Sequence, residues 1–272
     1  MTIMLAWLLY PGLGLLLVLT LALWGLTGER ALTRRLSLRR AFGSADGLAA
    51  LASLALSLAA LALTPWPLHP ALQQPGVGNL PLIWAALTGA LLLPQLAGLL
   101  AQDALAQRAV SRDMQISIAG LSIVVLALAT LMTSEISLRM LPGRLLTLLG
   151  GIIAVPAASG LGPFAPERSL SPRGAEEGLD EPTAGLLRFV RAARGAVMLG
   201  ILAALAAPPP LTIAPIGLLI ALALYVSSVL AIRVVVGLPR LTLANALRWC
   251  WRPALILTAL GMSYTAFVAS SQ

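Results

Sequence analysis

Long apolar runs separated by short arginine-bearing stretches make up most of the chain. Eight of these runs are candidates to cross a membrane: Met4–Leu26, Gly47–Leu63, Leu80–Leu100, Met114–Ser134, Leu145–Leu161, Gly185–Ala207, Leu211–Ile232 and Pro253–Ala269. A spanning helix needs roughly 20 mostly apolar residues, and the second and fifth runs fall short of that. The fifth holds Gly150-Gly151 and Pro156, which predict a kinked or broken helix inside a bundle. The pattern therefore predicts an all-α integral membrane protein. It is a bundle of about eight transmembrane helices, a single transmembrane domain over residues 1–272 with no soluble domain.

One polar stretch interrupts this pattern. Residues 162–184 form an acidic loop rich in Pro, Gly and Ser, carrying Glu167, Glu176, Glu177, Asp180 and Glu181. The apolar part of the following run, Gly195–Ala207, is only thirteen residues long. A helix long enough to span must begin near Gly185 and include Arg188, Arg191 and Arg194. Their i, i+3, i+6 spacing puts them along one side of that helix. Two readings stay open. The arginines snorkel to anionic headgroups at a helix end, or they and the acidic loop line a polar chamber shared with a partner protein.

Composition sharpens the class. Of 272 residues, 59% are hydrophobic and 10% charged, and the mean hydropathy is +0.93. The net charge of +8 comes from eighteen basic residues, all arginine. Such an excess belongs to the inner loops of a membrane protein and does not point to nucleic acid. With the N-terminus outside, sixteen of the eighteen arginines fall on the inner side, only Arg139 and Arg144 fall outside, and the C-terminus also lies outside. The acidic loop is then cytoplasmic. Trp66, Trp249 and Trp251 stand where interfacial anchors belong. The N-terminus lacks a positive n-region, so it reads as a first span and not as a cleaved signal.

Chemistry-bearing residues are few. A single Cys250 excludes an intrachain disulfide or a cysteine-held cluster, and His69 is the one histidine, so no metal site is expected. There is no nucleophile constellation and no phosphate-binding Gly loop. Asp46, Asp103, Asp113 and Glu135 all sit at the ends of the predicted spans. Boundary solvation is the plain reading of Asp103 and Glu135, and a dipole or capping role that of Asp46.

The first inner loop reads Glu29-Arg30, then Arg34-Arg35, then Leu38-Arg39-Arg40, then Ala45-Asp46-Gly47-Leu48. Further on come Thr183-Ala184-Gly185 after the acids, and Pro239-Arg240, Leu247 and Trp251-Arg252 before the last span. In this order the motifs resemble the complex I subunit 1 family of the NADH-quinone oxidoreductases. That family includes the membrane subunits of formate hydrogenlyase and energy-converting hydrogenases. The resemblance implies a membrane anchor and coupling subunit of a multisubunit redox complex, non-catalytic alone. It implies docking and coupling residues at Glu29, Arg34, Arg35, Arg39, Arg40, Asp46, Glu176, Glu177, Asp180, Glu181, Arg240, Trp251 and Arg252, to which the polar-chamber reading adds Arg188, Arg191 and Arg194. Peripheral iron–sulfur and hydrogenase-like subunits, antiporter-like membrane subunits and lipid are the implied partners. Iron–sulfur clusters would belong to those partners, and this chain would bind no cofactor of its own, quinone being the one candidate. The bacterial inner membrane is the expected location.

The sequence also departs from the family. Ser117 stands where an acid is usual, Arg188-Phe189 where the family has Glu-Tyr-Ser-Gly, and Ala244 where Asp is common. Several carboxylates of a proton path are therefore missing, which keeps a docking-only role open beside proton or ion translocation. The rival from another class is a small-solute or anion transporter subunit, with Arg188, Arg191 and Arg194 as its anion site.

Overall fold

The structure, a computed structural model, describes residues 43–64, 80–100, 104–133, 137–165, 179, 181–206 and 216–271. Every regular element among them is helical. The first predicted span, Met4–Leu26, and the loop residues Glu29, Arg34, Arg35, Arg39, Arg40, Glu176, Glu177 and Asp180 lie outside the described residues. So do Trp66, Asp103 and Glu135.

Helix α1 runs Ala45–Ala62, and α2 runs Leu80–Leu92. A 3-10 turn, Leu93–Gln95, and the short α3, Leu96–Leu99, complete the third predicted span in three pieces. Helix α4 is Ala104–Thr133, α5 is Leu141–Ser159 and α6 is Glu181–Ala206. Helix α7 is Ile216–Val236. The last run joins α8 (Leu243–Trp249), a π turn (Cys250–Ala254) and α9 (Leu255–Ser270) into one helical rod. Six of the described helical runs are long and apolar enough to cross a membrane, and Leu80–Gln95 is a shorter apolar one. The chain is an integral, all-helical membrane protein.

Three boundaries differ from the hydropathy reading, each for a local reason. Helix α4 begins ten residues before Met114, because Ala104, Leu105, Ala106, Gln107, Arg108 and Arg112 are good helix formers and the single Asp113 does not stop it. Its thirty residues extend about 45 Å, more than the roughly 30 Å of hydrocarbon, so its first turns reach past the apolar slab. Helix α5 is unbroken through Gly150-Gly151 and Pro156 and stops at Gly160, whose φ of 67° is the left-handed C-cap that glycine adopts at little cost. The expected break does not occur. In the last run Pro253 removes the amide that would bond to the carbonyl of Trp249, and the backbone widens to a π turn, with the Leu255 amide donating to Cys250 O.

Packing makes α6 the central strut. Of the most apolar 18 residues of α6, 94% are buried inside the bundle, and its side chains from Ala192 to Leu202 are all but inaccessible. Helix α5 lies beside it and also seats α4 and α9. Small residues set these approaches. A Cβ on Gly120 of α4 would strike the backbone of Ala158, and one on Gly151 would strike Leu202 at 3.0 Å. This is close packing of the kind small residues allow between membrane helices.

Candidate functional site: buried arginines at helix ends

The central helix carries the three arginines that the sequence singles out. Arg188 is half-buried, Arg191 is 6% exposed and Arg194 only 2%. Snorkelling to headgroups therefore does not describe Arg191 or Arg194, whose side chains are enclosed by protein. A cation this deep must be met by acceptors, and for Arg194 the sequence explains where they come from.

Pro94 has no amide hydrogen, so the carbonyl of Ala90, four residues earlier, loses its helical donor. Two side chains from other helices replace that donor. Ser53 Oγ of α1 donates to Ala90 O at 2.5 Å, and Arg194 Nη1 of α6 donates to it at 3.1 Å. Arg194 Nη2 donates to Ala158 O at 3.4 Å. Ala158 is in the last turn of α5, where carbonyls have no intrahelical partner. One guanidinium thus closes the ends of α2 and α5, where the partial negative charge of each helix dipole lies. Gly195 permits the approach, since a Cβ there would stand 2.9 Å from Leu161 Cδ1 and 3.0 Å from Ser159 Oγ.

At the opposite end of the bundle Arg144 repeats the device. The arginine asymmetry puts it in an outer loop. It lies instead in the first turn of α5, 1% exposed, and donates to Leu131 O through Nη1 at 3.2 Å and to Leu205 O through Nη2. Those carbonyls belong to the last turns of α4 and α6. Its one signal in the sequence is its place among the two exceptions to that asymmetry.

The remaining candidates spread over one end. Ser44, not Asp46, is the N-cap of α1, accepting from the Gly47 amide at 3.1 Å. Asp46 sits half-exposed in the first turn, where its charge favours the helix dipole. Glu181 opens α6. Arg112 Nη2 donates to Leu241 O at 2.9 Å, and the Leu241 amide donates to Pro163 O at 3.0 Å. These bonds fix the segment that carries half-buried Arg240 against α4 and against the loop after α5. Trp249 is partly buried against α5: its Nε1 donates to Ile153 O at 3.0 Å, and its ring meets Phe164 edge-on at 6.1 Å. Trp251, 59% exposed, and Arg252 stand on the outer surface of the rod.

Asp113 is the carboxylate that the hydropathy reading misplaces. It is 7% exposed and lies on the buried face of α4 with Val110 and Ser117. The i, i+3, i+7 spacing of Val110, Asp113 and Ser117 is legible in the sequence, but a span drawn from Met114 leaves it out. Among the described residues no group of His, Cys, Asp and Glu side chains is arranged to hold a metal ion.

No protein-family model matches the sequence, and no curated protein matches it either. Among solved structures the chain is similar to one from the membrane-bound sulfane sulfur reductase, an archaeal respiratory membrane complex. That similarity covers 97% of this chain and 100% of the other, with a TM-score of 0.64 and 17% identity. At that identity the likeness is one of fold, and it extends over the whole length of both chains.

Proposed function

We propose that this protein is a membrane subunit of a complex I-like respiratory complex, anchoring a peripheral electron-transfer arm at the end where Asp46, Arg240 and Arg252 lie. One observation carries the reading: the fold is shared end to end with a chain of a respiratory membrane complex. The motifs Ala45-Asp46-Gly47-Leu48, Pro239-Arg240 and Trp251-Arg252 add to it, since they resemble the complex I subunit 1 family and sit on the start of α1, on the strap before the last helical rod and on the π turn within that rod. Membership of that family, iron–sulfur and hydrogenase-like partners, antiporter-like neighbours and a bacterial inner-membrane location all belong to this proposal.

The test is a mild-detergent pull-down of the tagged chain with mass spectrometry and an iron assay. Iron–sulfur and antiporter-like subunits are expected to come down with it. In the Glu176→Ala, Glu177→Ala, Asp180→Ala, Glu181→Ala variant the iron-containing arm is expected to be lost, about tenfold or more in recovered iron per chain. A chain recovered alone and iron-free in its wild-type form overturns the reading. The transporter alternative is disfavoured by Arg194, which is 2% exposed and already donates to carbonyls of two helices.

Coupling to ion movement rests on Asp113. It is a carboxylate enclosed within the bundle near the edge of the apolar span, next to Arg112 and four residues from Ser117, and buried carboxylates at such a position serve as entry points of proton relays. Asp113→Asn is expected to leave complex assembly unchanged and to cut proton translocation in proteoliposomes by at least tenfold while electron transfer continues. Full translocation in that variant would leave the subunit with the docking role alone.

A further inference from the structure

The rod formed by α8, the π turn and α9 has two unlike faces. One face, Ala254, Thr258, Gly261, Thr265 and Val268, is buried. It carries small residues only up to Val268, and Gly143 and Gly150 of α5 approach it closely. Two residues on from Ala254, Thr258 and Thr265, about 200° around the helix, stand Ile256 (52% exposed), Leu260 (54%) and Phe267 (71%). This outward stripe is apolar at Ile256, Leu260 and Phe267, with the exposed Ser263 between the last two. At its α8 end it terminates in exposed Arg248, Trp251 and Arg252. Arg248 and Arg252 are four residues apart across the π turn and Trp251 is three from Arg248, so all three share one side. The run Leu243–Ser270 contains no acid to neutralise them.

From this arrangement we infer that the α8–α9 face is a binding site for an anionic phospholipid. The headgroup phosphate lies between the guanidiniums of Arg248 and Arg252, and an acyl chain lies along Ile256, Leu260 and Phe267. Guanidinium forks suit phosphate oxygens. The Trp251 ring is at the depth where indoles settle between headgroup and hydrocarbon. The distance from Arg252 to Phe267 along the helix is about 22 Å, enough to carry an acyl chain from the headgroup layer past the middle of a hydrocarbon core roughly 30 Å thick. An acidic protein surface would satisfy the arginines and leave the apolar stripe unmatched; an anionic lipid matches both. The π turn contributes by keeping the two arginines on one side despite the proline between Arg252 and Ala254.

The experiment uses the full-length protein with whatever subunits copurify, delipidated in mild detergent. Phosphatidylglycerol or phosphatidylcholine is added back, and bound lipid is counted by native mass spectrometry. One phosphatidylglycerol per chain is expected to be held more tightly than phosphatidylcholine. In the Arg248→Gln, Arg252→Gln variant its affinity is expected to fall roughly thirtyfold, to the phosphatidylcholine level, following the contribution of two basic residues at an anionic surface. Arg233→Gln, on an exposed arginine of α7, is expected to change nothing. Both variants replace exposed side chains, and wild-type binding should also weaken in high salt. Equal retention of the two lipids by the wild-type protein overturns the inference. So does unchanged phosphatidylglycerol binding in the double variant. Loss of a copurifying subunit from that variant with lipid binding intact overturns it too, and would make the face a protein contact.

Discussion

Arg194→Met is expected to destabilise the protein by roughly 2–5 kcal/mol, the sum of two hydrogen bonds from a charged donor less the desolvation that the buried cation no longer incurs. Methionine keeps much of the side chain's volume, so the loss reports on the bonds and not on a cavity. The carbonyls of Ala90 and Ala158 stay buried, and only Ser53 still serves the first. Arg194→Lys is expected to recover less than half, because one ammonium on a flexible stem does not present the fixed fork that reaches carbonyls on two helices. The cause can be isolated with Pro94→Ala. That change supplies the amide that the Ala90 carbonyl lacks, so the double variant Arg194→Met, Pro94→Ala should be more stable than the sum of the single changes by about 1 kcal/mol or more. Thermal unfolding in detergent, followed by helix signal, reads all five proteins. A methionine variant as stable as the wild type, with additive double-variant energies, would remove Arg194 from the role of helix-end closure.

The same residue marks how far sequence reasoning reaches. The length limit on apolar runs forces Arg188, Arg191 and Arg194 into a spanning helix, and α6 includes all three. What they touch depends on carbonyls far away in the chain: Ala90 is 104 residues from Arg194, and Leu205 is 61 from Arg144. No local pattern encodes such partners, although a proline four residues after Ala90 is a legible hint that one carbonyl needs a donor. Hydropathy fails at α4 for a related reason. It treats Arg112 and Asp113 as a boundary, whereas the helix simply continues, with Asp113 turned into the bundle and Arg112 turned to the Leu241 carbonyl. The Gly150-Gly151 pair predicts a weak point because glycine is a poor helix former in isolation. In a bundle the same missing side chains are what let neighbouring helices come close, and helix propensity gives way to packing.

Gly150→Leu and Gly261→Leu test that last point, and each is expected to detach the C-terminal rod from α5. A Cβ on Gly150 would collide with Thr258 Oγ1 and lie 2.7 Å from both Ala254 O and Thr258 N. One on Gly261 would collide with Thr147 Oγ1 and lie 2.5 Å from Gly143 O and 2.7 Å from Thr147 N. These contacts are largely with backbone, which cannot rotate away, so the helices must separate. Overpacking a tight core costs about 1–3 kcal/mol and more where backbone must shift, and here the burial along Ala254, Thr258, Gly261, Thr265 and Val268 goes with it. Because α9 packs chiefly on α5, separation at one glycine should open the whole seam. Limited proteolysis in detergent should then release a fragment from the α7–α8 strap around Gly237, and a disulfide engineered between Gly143→Cys and Thr265→Cys should form far more slowly in the Gly150→Leu background. The control is Gly185→Ala in α6, where nothing stands within 4 Å of the added Cβ. That change should stabilise the helix by about 0.4–1 kcal/mol through the unfolded state. If Gly150→Leu matched Gly185→Ala in stability and protease resistance, the α5–α9 seam would not depend on close backbone approach, and the outward stripe of Ile256, Leu260 and Phe267 would lose the fixed face on which it stands.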